Sequence, residues 1–471
     1  MIIQLDSKES DLFIKLVYNL IIVPLVYFSI SIISLFSKKL RRSIEVRSGI
    51  SKTLSKNRIN LNPYSVTVLF HCSSMGEYKQ ILPIVKKLND SKQTEYNIVL
   101  SLYSPSAYEH IDKNNPMFSL ITYTPFDFYI ETKRFINTIN PDIVLISKHD
   151  VWPNFLWELK KRSVPVFLIN GLFADDTKMD KWYAKFFFRS IFSNLTGIIT
   201  ISEKQKQRFL SVFPYPDKIH VSGDTRYDAV IYEAESSLGI DYFESLAGND
   251  HIFIAGSSWP ADEKHIINCW VDLKKKFRNA VLILVPHEIG ADHIYKIESM
   301  CQEKDLGYLA FTDMTGKEKL NEYDVLIIDK IGLLTKIYRY GKIAYVGGGF
   351  SRNGLHSVLE PAVYGLPVVF GPNLDKSPEA QEMNILNCGM IFNDDRELYN
   401  IVSSLWSDKK LYEKVSEISS GYIRDHSGAT NKILKTIEEN TRKNNSEKGN
   451  SITEKELEDI LNRESNKEKQ K

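Results

Sequence analysis

YVGGGFSRNGLHSVLEPAVYGLPVVFGPN, residues Tyr345–Asn373, is the stretch whose reading decides the fold. A short apolar run ends in Gly347, Gly348 and Gly349, a polar loop leads into a helix-like stretch carrying Glu360, and Gly365 and Pro367 open a second apolar run. Strand, glycine turn, helix, strand is one step of a parallel α/β sheet, and glycines after a strand let a ligand approach the backbone closely. The same step repeats upstream in HIFIAGSS (His251–Ser258), AVLILVPH (Ala280–His287) and DVLIID (Asp324–Asp329). Earlier in the chain come SVTVLF (Ser65–Phe70), NIVLSLY (Asn97–Tyr103), PDIVLI (Pro141–Ile146), PVFLIN (Pro165–Asn170) and GIITIS (Gly197–Ser202). Continuous β-branched runs separated by amphipathic spacers predict parallel strands buried on both faces. A polar, weakly patterned break at Tyr227–Asp250 divides the runs into two doubly wound units, 45–228 and 250–435, with a hinge near 228–250.

Length and composition agree with two domains plus appendages: 471 residues, 43% hydrophobic and 25% charged. That composition excludes global disorder, collagen and a disulfide-scaffold peptide. Sixty basic against fifty-nine acidic side chains give a net charge of +1, so nucleic acid is not an expected partner. The four cysteines, Cys72, Cys269, Cys301 and Cys388, are scattered without a CxxC pair, which favours a reducing compartment and neither a zinc site nor a disulfide framework. Leu12–Phe36 holds a single charge, Lys15, over twenty-five residues and reads as a transmembrane anchor, with Pro24 a possible kink. Lys38, Lys39, Arg41, Arg42 and Arg47 follow it while Asp6, Glu9 and Asp11 precede it, which places the body of the chain on the cytoplasmic side. A cleaved signal peptide would have its basic end first, and a buried core helix would be amphipathic. Residues 441–471 are about half charged and lack aromatics, the mark of a disordered tail or frayed helix.

Ligands of such sheets bind beyond the carboxyl ends of the strands. The first end reads FHCSSMGEYKQ (Phe70–Gln80). Glu77 there is either a carboxylate stabilising the helix dipole, the common case, or a general base that takes a proton from an acceptor hydroxyl. His71 reads equally as a packed strand-end residue. SKHDVWPNF (Ser147–Phe155) brings His149 and Asp150 to another end; Asp150 is a polar site residue or a cap for a helix that begins near Pro153. AGSSWPADEKHI (Ala255–Ile266) turns from strand to helix, where Ser257, Ser258 and helix N–H groups offer a phosphate site, on a pattern that is neither a Walker loop nor GxGxxG. VPHE (Val285–Glu288) supplies His287, as a nucleotide contact or a structural strand-end histidine. Gly348, Gly349 and Glu360 complete the set: glycine backbone for phosphate, carboxylate for ribose hydroxyls. No His/Cys set or Asp pair has metal-ligand spacing, so no metal or other cofactor is expected.

The order of these motifs resembles the Kdo transferases, which add 3-deoxy-D-manno-octulosonic acid (Kdo) to lipid A. The resemblance rests on HCSSMGE, the TPFD of Thr124–Asp127, the DVWPN of Asp150–Asn154, the GDTRYD of Gly223–Asp228, AGSSWPADE, VPHE and GLHSVLEPAVYGLPVVFGP, and it runs from the anchor to about residue 435. It implies a GT-B fold, two Rossmann-like domains facing a cleft, and inverting transfer from CMP-Kdo to the lipid A precursor lipid IVA at the inner membrane's cytoplasmic face. The family's base falls on Glu77 and its acidic residue before Trp-Pro on Asp150. The CMP contacts fall on Pro286 and His287, on Ile331, Gly332 and Leu333, and on Ser357, Val358, Leu359 and Glu360. This chain departs from the family pattern: Lys148 and His149 replace the first acid and its neighbour, Asp150 shortens the second acid, a cation is missing between Pro286 and His287, and Ser357 replaces an Asn. Alternatives are a GT-B transferase that uses a UDP-sugar, a nucleotide-sugar epimerase and a catalytically silent binding protein.

Overall fold

The computed structural model describes residues 7–50, 54, 61–173, 181–351 and 354–447. The chain divides into two compact units, one made of the chain up to Asp228 together with the chain from Gly428, the other of Ala229–Ser427. In the first unit β1 (Val66–Cys72), β2 (Tyr96–Leu102), β3 (Leu120–Tyr123), β4 (Ile143–Ser147), β5 (Val166–Gly171), β6 (Gly197–Thr200) and β7 (Ile219–Val221) form one sheet of order β3-β2-β1-β4-β5-β6-β7. Every pairing is parallel. Side chains alternate between the faces of a strand, and both faces are covered. Leu69, Val99, Val144 and Ile146 pack with Phe135, Phe155, Leu159 and Phe192 on one side. Phe70, Ile98, Leu100 and Leu145 pack with Ile81, Ile84 and Ile433 on the other.

Ile433 belongs to the last helix, Ala429–Glu447, which is therefore part of the first unit's core. Asp228, the final residue of GDTRYD, fastens its start: the carboxylate accepts from the N–H groups of Gly428 (2.7 Å) and Thr430 (2.8 Å) and from the Thr430 hydroxyl (3.1 Å). The expected second domain, 250–435, thus ends too late, because Gly428 onward packs with the first unit. It also starts too late. The expected hinge is the helix Thr225–Ser236 followed by a 3-10 turn, Asp241–Leu246, whose Phe243 and Leu246 are fully buried in the second unit. The tail expected over 441–471 is helical as far as Glu447, and the remainder lies outside the described residues.

The N-terminal apolar stretch is a helix from Ser7 to Ser34, α-helical at both ends with a π turn at Tyr18–Ile22. The Val23 N–H reaches back to the Tyr18 carbonyl. Pro24 supplies no N–H for the carbonyl four residues before it, and the widened turn accommodates that loss. Leu12–Ser34 is long and apolar enough, by length and composition, to cross a membrane. One face nevertheless docks on the first unit. The Tyr18 hydroxyl donates to Asp127 (2.9 Å), the Asn19 and Asn154 amides exchange two bonds (3.0 and 2.9 Å), and the Tyr27 ring stands edge-on to Phe126 and Phe128. Leu12, Phe13, Leu16, Leu20, Leu25 and Phe28 point outward. Ser37 caps the next helix, Lys38–Ser48, on which Lys38, Lys39, Arg41 and Arg42 are exposed. Arg47, counted with these cations in the sequence, turns inward instead: its guanidinium stacks on Tyr103 and Phe126 and donates to the Thr124 carbonyl.

In the second unit β8 (Ile252–Ser258), β9 (Val281–Pro286), β10 (Tyr308–Ala310), β11 (Val325–Ile327), β12 (Ile343–Val346), β13 (Val368–Phe370) and β14 (Gly389–Ile391) form a second parallel sheet, of order β10-β11-β9-β8-β12-β13-β14. Ile252, Ile254, Ile283, Leu326 and Ala344 cover one face with Phe243, Ile337 and Tyr338. All four cysteines are free and buried. Replacing Asp228 by Ala leaves the N–H groups of Gly428 and Thr430 without their acceptor. We expect a loss of about 1 kcal/mol, read as a lower denaturant midpoint, with faster hydrogen exchange confined to the first turns of Ala429–Glu447.

Candidate active site

Each sheet has a central point at which the strand order reverses, and the helices on either side of such a point diverge and leave a crevice beyond the strand ends. In the first unit that point lies between β1 and β4. The helix Met75–Asn89 begins directly after β1, with the Ser74 hydroxyl accepting from the Glu77 N–H (3.3 Å). The Glu77 carboxylate turns back to accept from the Ser73 N–H (2.6 Å) and the Ser73 hydroxyl (2.9 and 3.0 Å). Glu77 is only 4% exposed. Ser74 is the cap of the helix, and Glu77 instead holds Ser73 just before it, where the Ser73 hydroxyl is a displaceable partner.

His71, 1% exposed, is the centre of a second group. Its Nε2 lies 3.0 Å from Asp150 Oδ2, and its Nδ1 lies 3.1 Å from both the Ser101 and the Thr124 hydroxyls. An Nε2–H donated to the carboxylate, with the Thr124 hydroxyl donating to Nδ1, satisfies the ring. Asp150 follows β4 across Lys148, whose φ of 64° lies in the left-handed region that non-glycine residues seldom occupy. Burial pushes the Asp150 carboxyl up, but the hydrogen bond from His71, with Trp152 and His149 adding to it, holds it below its ordinary 3.8. Asp150 does not cap the helix Pro153–Lys161. That role falls to Asp127, which accepts from the N–H groups of Asn154 (2.8 Å) and Phe155 (3.1 Å).

In the second unit the reversal lies between β8 and β12. The glycines there are demanded by close approach: a Cβ on Gly347 would stand 2.0 Å from the Ser257 carbonyl oxygen, and Gly348 has φ +100°. Ser257 itself is left-handed (φ 53°). The backbone N–H groups of His287 and His356 donate to the carbonyls of Ser258 (2.9 Å) and Gly347 (3.1 Å) at the strand ends. Their rings face each other at 4.5 Å, and Trp259 stacks on His287 at 4.5 Å while donating to His356 Nε2 (3.3 Å). Burial, with His287 adding to it, lowers the His356 pKa and favours the neutral ring that accepts this bond. Glu360 is held by the Thr335 hydroxyl (3.2 Å), which links it to the segment after β11 that carries Ile331, Gly332 and Leu333.

Several expected contacts change. Ser258 is fully buried and its hydroxyl donates to Glu263 (3.0 Å), so it offers nothing to a phosphate. The helix start beside it is already occupied, because Asp262 accepts from the N–H groups of Trp259 (2.9 Å) and Gly348 (3.0 Å). Val358 and Leu359 turn their side chains into the core, leaving only their backbone available, and Ile331 is 81% exposed with Gly332 beside it at φ +86°. Pro286 closes β9 and is itself buried; Ser357 and His287 are exposed, and Gly349 abuts Gly371. Trp259 and Thr335 escaped the sequence reading, and an aromatic or polar residue beside each glycine or serine turn was the available signal. Among the described residues no set of three His, Cys, Asp or Glu side chains could hold a metal.

Two doubly wound units, each with polar residues gathered at its reversal point, make a fold of GT-B type. The 3-Deoxy-D-manno-octulosonic-acid transferase (kdotransferase) family matches residues 42–229. A 3-deoxy-D-manno-octulosonic acid transferase of Chlamydia trachomatis serovar D is 25% identical over 446 residues, 92% of this chain and 97% of that protein. A bifunctional glycosyltransferase/methyltransferase of Fusobacterium nucleatum subsp. nucleatum is 25% identical over 376 residues, 79% of this chain but only 57% of that protein's length. The fold is shared with UDP-GlcNAc 2-epimerase from Neisseria meningitidis, at TM-score 0.55 and 15% identity over 79% of this chain and all of that one. The chain is thus similar to the Kdo transferases, by the family match over 42–229 and at about a quarter identity along most of its length.

The His71–Asp150 pair sets a pH dependence. A carboxyl held below its ordinary value binds fewer protons folded than unfolded. Its contribution to stability is therefore complete above about pH 4 and lost as pH falls through the folded value. Asp150→Asn should cost about 1–3 kcal/mol at pH 7 and flatten the acid limb of a thermal-unfolding series. An unchanged acid limb would remove the pair from the account.

Proposed function

We propose that the chain transfers Kdo from CMP-Kdo to the lipid A precursor lipid IVA at the cytoplasmic face of the inner membrane, without a metal or other cofactor. The observation that carries this reading is a coincidence of position: the family match over 42–229 falls on the unit whose reversal point gathers His71, Glu77 and Asp150. An apolar helix followed by four exposed cations supports a membrane-held acceptor.

Glu77 is the general base. An acceptor hydroxyl that displaces the Ser73 hydroxyl meets the same carboxylate and gives it a proton as the acceptor oxygen bonds to the anomeric carbon of Kdo. The bond from that carbon to the phosphate oxygen of CMP breaks, CMP departs with the electron pair, and the configuration inverts. Asp150, kept ionised and oriented by His71, orients the acceptor and stabilises the cationic character of the sugar in the transition state. In the second unit Glu360 takes the ribose hydroxyls, and His287, His356, the Gly347–Gly349 turn and the backbone of Ser357–Leu359 surround the nucleotide. A nucleoside monophosphate needs less charge neutralisation as a leaving group than a diphosphate, so the proposed step is written without a metal.

The test is mass spectrometry of lipid IVA incubated with detergent-solubilised protein and freshly generated CMP-Kdo. Expected is a mass increment of one Kdo per transfer, undiminished by EDTA and inhibited by CMP but not by UDP. Glu77→Gln should lower kcat by about a hundredfold to ten-thousandfold and leave CMP inhibition intact. Near-normal turnover by that variant would overturn the base assignment. Transfer from UDP-sugars alone would overturn the donor.

A further inference from the structure

The docked N-terminal helix does not lie flush on the first unit. Between them is a cavity of about 290 Å³, and apart from Asp127 its lining is apolar or aromatic. Ile22 and Val26 face it from the helix, Phe126 and Phe128 from the loop after β3, Trp152 from the segment before Pro153, and Phe187 from the helix Trp182–Phe192. The polar group in the wall is already engaged, because Asp127 accepts from Tyr18, Thr132, Asn154 and Phe155. A dry cavity of about 150 Å³ accepts benzene; one of about twice that volume takes an unbranched chain of about a dozen carbons.

Three observations say what kind of chain. Val26 is half exposed and sits among the outward-facing Leu20, Leu25 and Phe28, so the cavity opens on the face of the helix that is suited to lipid. Trp182, Tyr183 and Phe186 extend that face from the neighbouring helix, a girdle of the kind found at membrane interfaces. Lys38, Lys39 and Arg41 are exposed just beyond the helix's end and complement the phosphates of an anionic lipid. At the opposite wall, Trp152 stacks on Tyr103 and lies two residues from Asp150. A chain in the cavity is thus tied to the His71–Asp150 end of the sheet.

We infer that this cavity seats one acyl chain of the lipid acceptor, so that the enzyme selects its acceptor by acylation as well as by headgroup. The inference rests on the transfer reading above for the identity of the acceptor. It predicts that the apolar chain is held by the protein itself and not merely by the surrounding bilayer.

The experiment uses the full chain in phosphatidylethanolamine–phosphatidylglycerol nanodiscs and a tetraacyl glucosamine disaccharide bisphosphate with a diazirine on one acyl chain, followed by irradiation and peptide mapping. Expected are adducts on Phe126–Phe128 and Val151–Pro153, competed by unlabelled tetraacyl disaccharide but not by excess phosphatidylglycerol. Val26→Trp, which fills the mouth, should lower these adducts and raise the acceptor KM by about tenfold, equal to about 1.4 kcal/mol. Ile22→Phe should act in the same direction, and Leu20→Trp on the outer face should leave the adducts unchanged. Adducts confined to Leu16, Leu20 and Phe28, equal competition by phosphatidylglycerol, or no effect of Val26→Trp and Ile22→Phe would overturn the inference. Labelling needs no turnover: cavity adducts without Kdo transfer would refute the function and keep the cavity, and transfer without them would do the reverse.

Discussion

Asp127 carries a buried carboxylate whose needs bring four chain segments together. One oxygen accepts from the Tyr18 hydroxyl and the Asn154 N–H, the other from the Phe155 N–H and the Thr132 hydroxyl. Burial pushes its carboxyl up to about 7 while these donors oppose the shift. Leaving any of them unpaired in the interior costs about 1–3 kcal/mol, so the N-terminal helix, the helix Tyr129–Ile139 and the helix Pro153–Lys161 are fixed to a common point. Asp150 and Trp152 precede that last helix by one to three residues, and their position is inherited from it. The site and the acyl cavity therefore share a single origin in the TPFD turn.

The two reversal points handle charge in opposite ways. In the first unit, His71 and Ser73 supply donors to Asp150 and Glu77, so both carboxylates stay at the strand ends. In the second, Asp262 and Glu263 are buried and turned inward, where they bind Gly348, Trp259, Ser258 and His293. Burial raises the pKa of both. Their role is to close the glycine turn rather than to meet a ligand. The surface left at that point is made of aromatic rings, glycine backbone and the Glu360 carboxylate.

The sheet interiors were legible in the sequence because strands buried on both faces leave continuous apolar runs. All ten central strands carry such a run, in SVTVLF, HIFIAGSS and their counterparts. The four strands without a predicting run, β3, β7, β10 and β14, are the four edges, three or four residues long. An edge strand needs neither length nor two apolar faces, so LITY, IHV, YLA and GMI carry no period to read. At the site, Glu77 and Asp150 were visible as acids at strand ends, but their partners were not. Asp127 serves Tyr18 from 109 residues away, and His71 meets Asp150 from 79. Ser258 failed for the converse reason: a serine at a turn looks available in sequence, and only the fold reveals that Glu263 has taken its hydroxyl.

The N-terminal helix has a meaning beyond anchorage. Tyr18 and Asn19 lie in the middle of its apolar stretch, where unpaired polar groups facing hydrocarbon are costly. Both are satisfied by the first unit, through Asp127 and Asn154, and the Tyr27 ring continues the contact two turns later. The polar face of the helix is thus committed to protein while its leucines and phenylalanines are left for lipid. A helix joined by a flexible linker would restrict the unit only to the membrane's neighbourhood. A helix docked through hydrogen bonds fixes the orientation of the unit relative to the helix, and with it the placement of Asp150 and Glu77 relative to the helix's outward apolar face. Under the proposed function, positioning of that kind turns an encounter between the site and a membrane-held hydroxyl into a nearly intramolecular reaction.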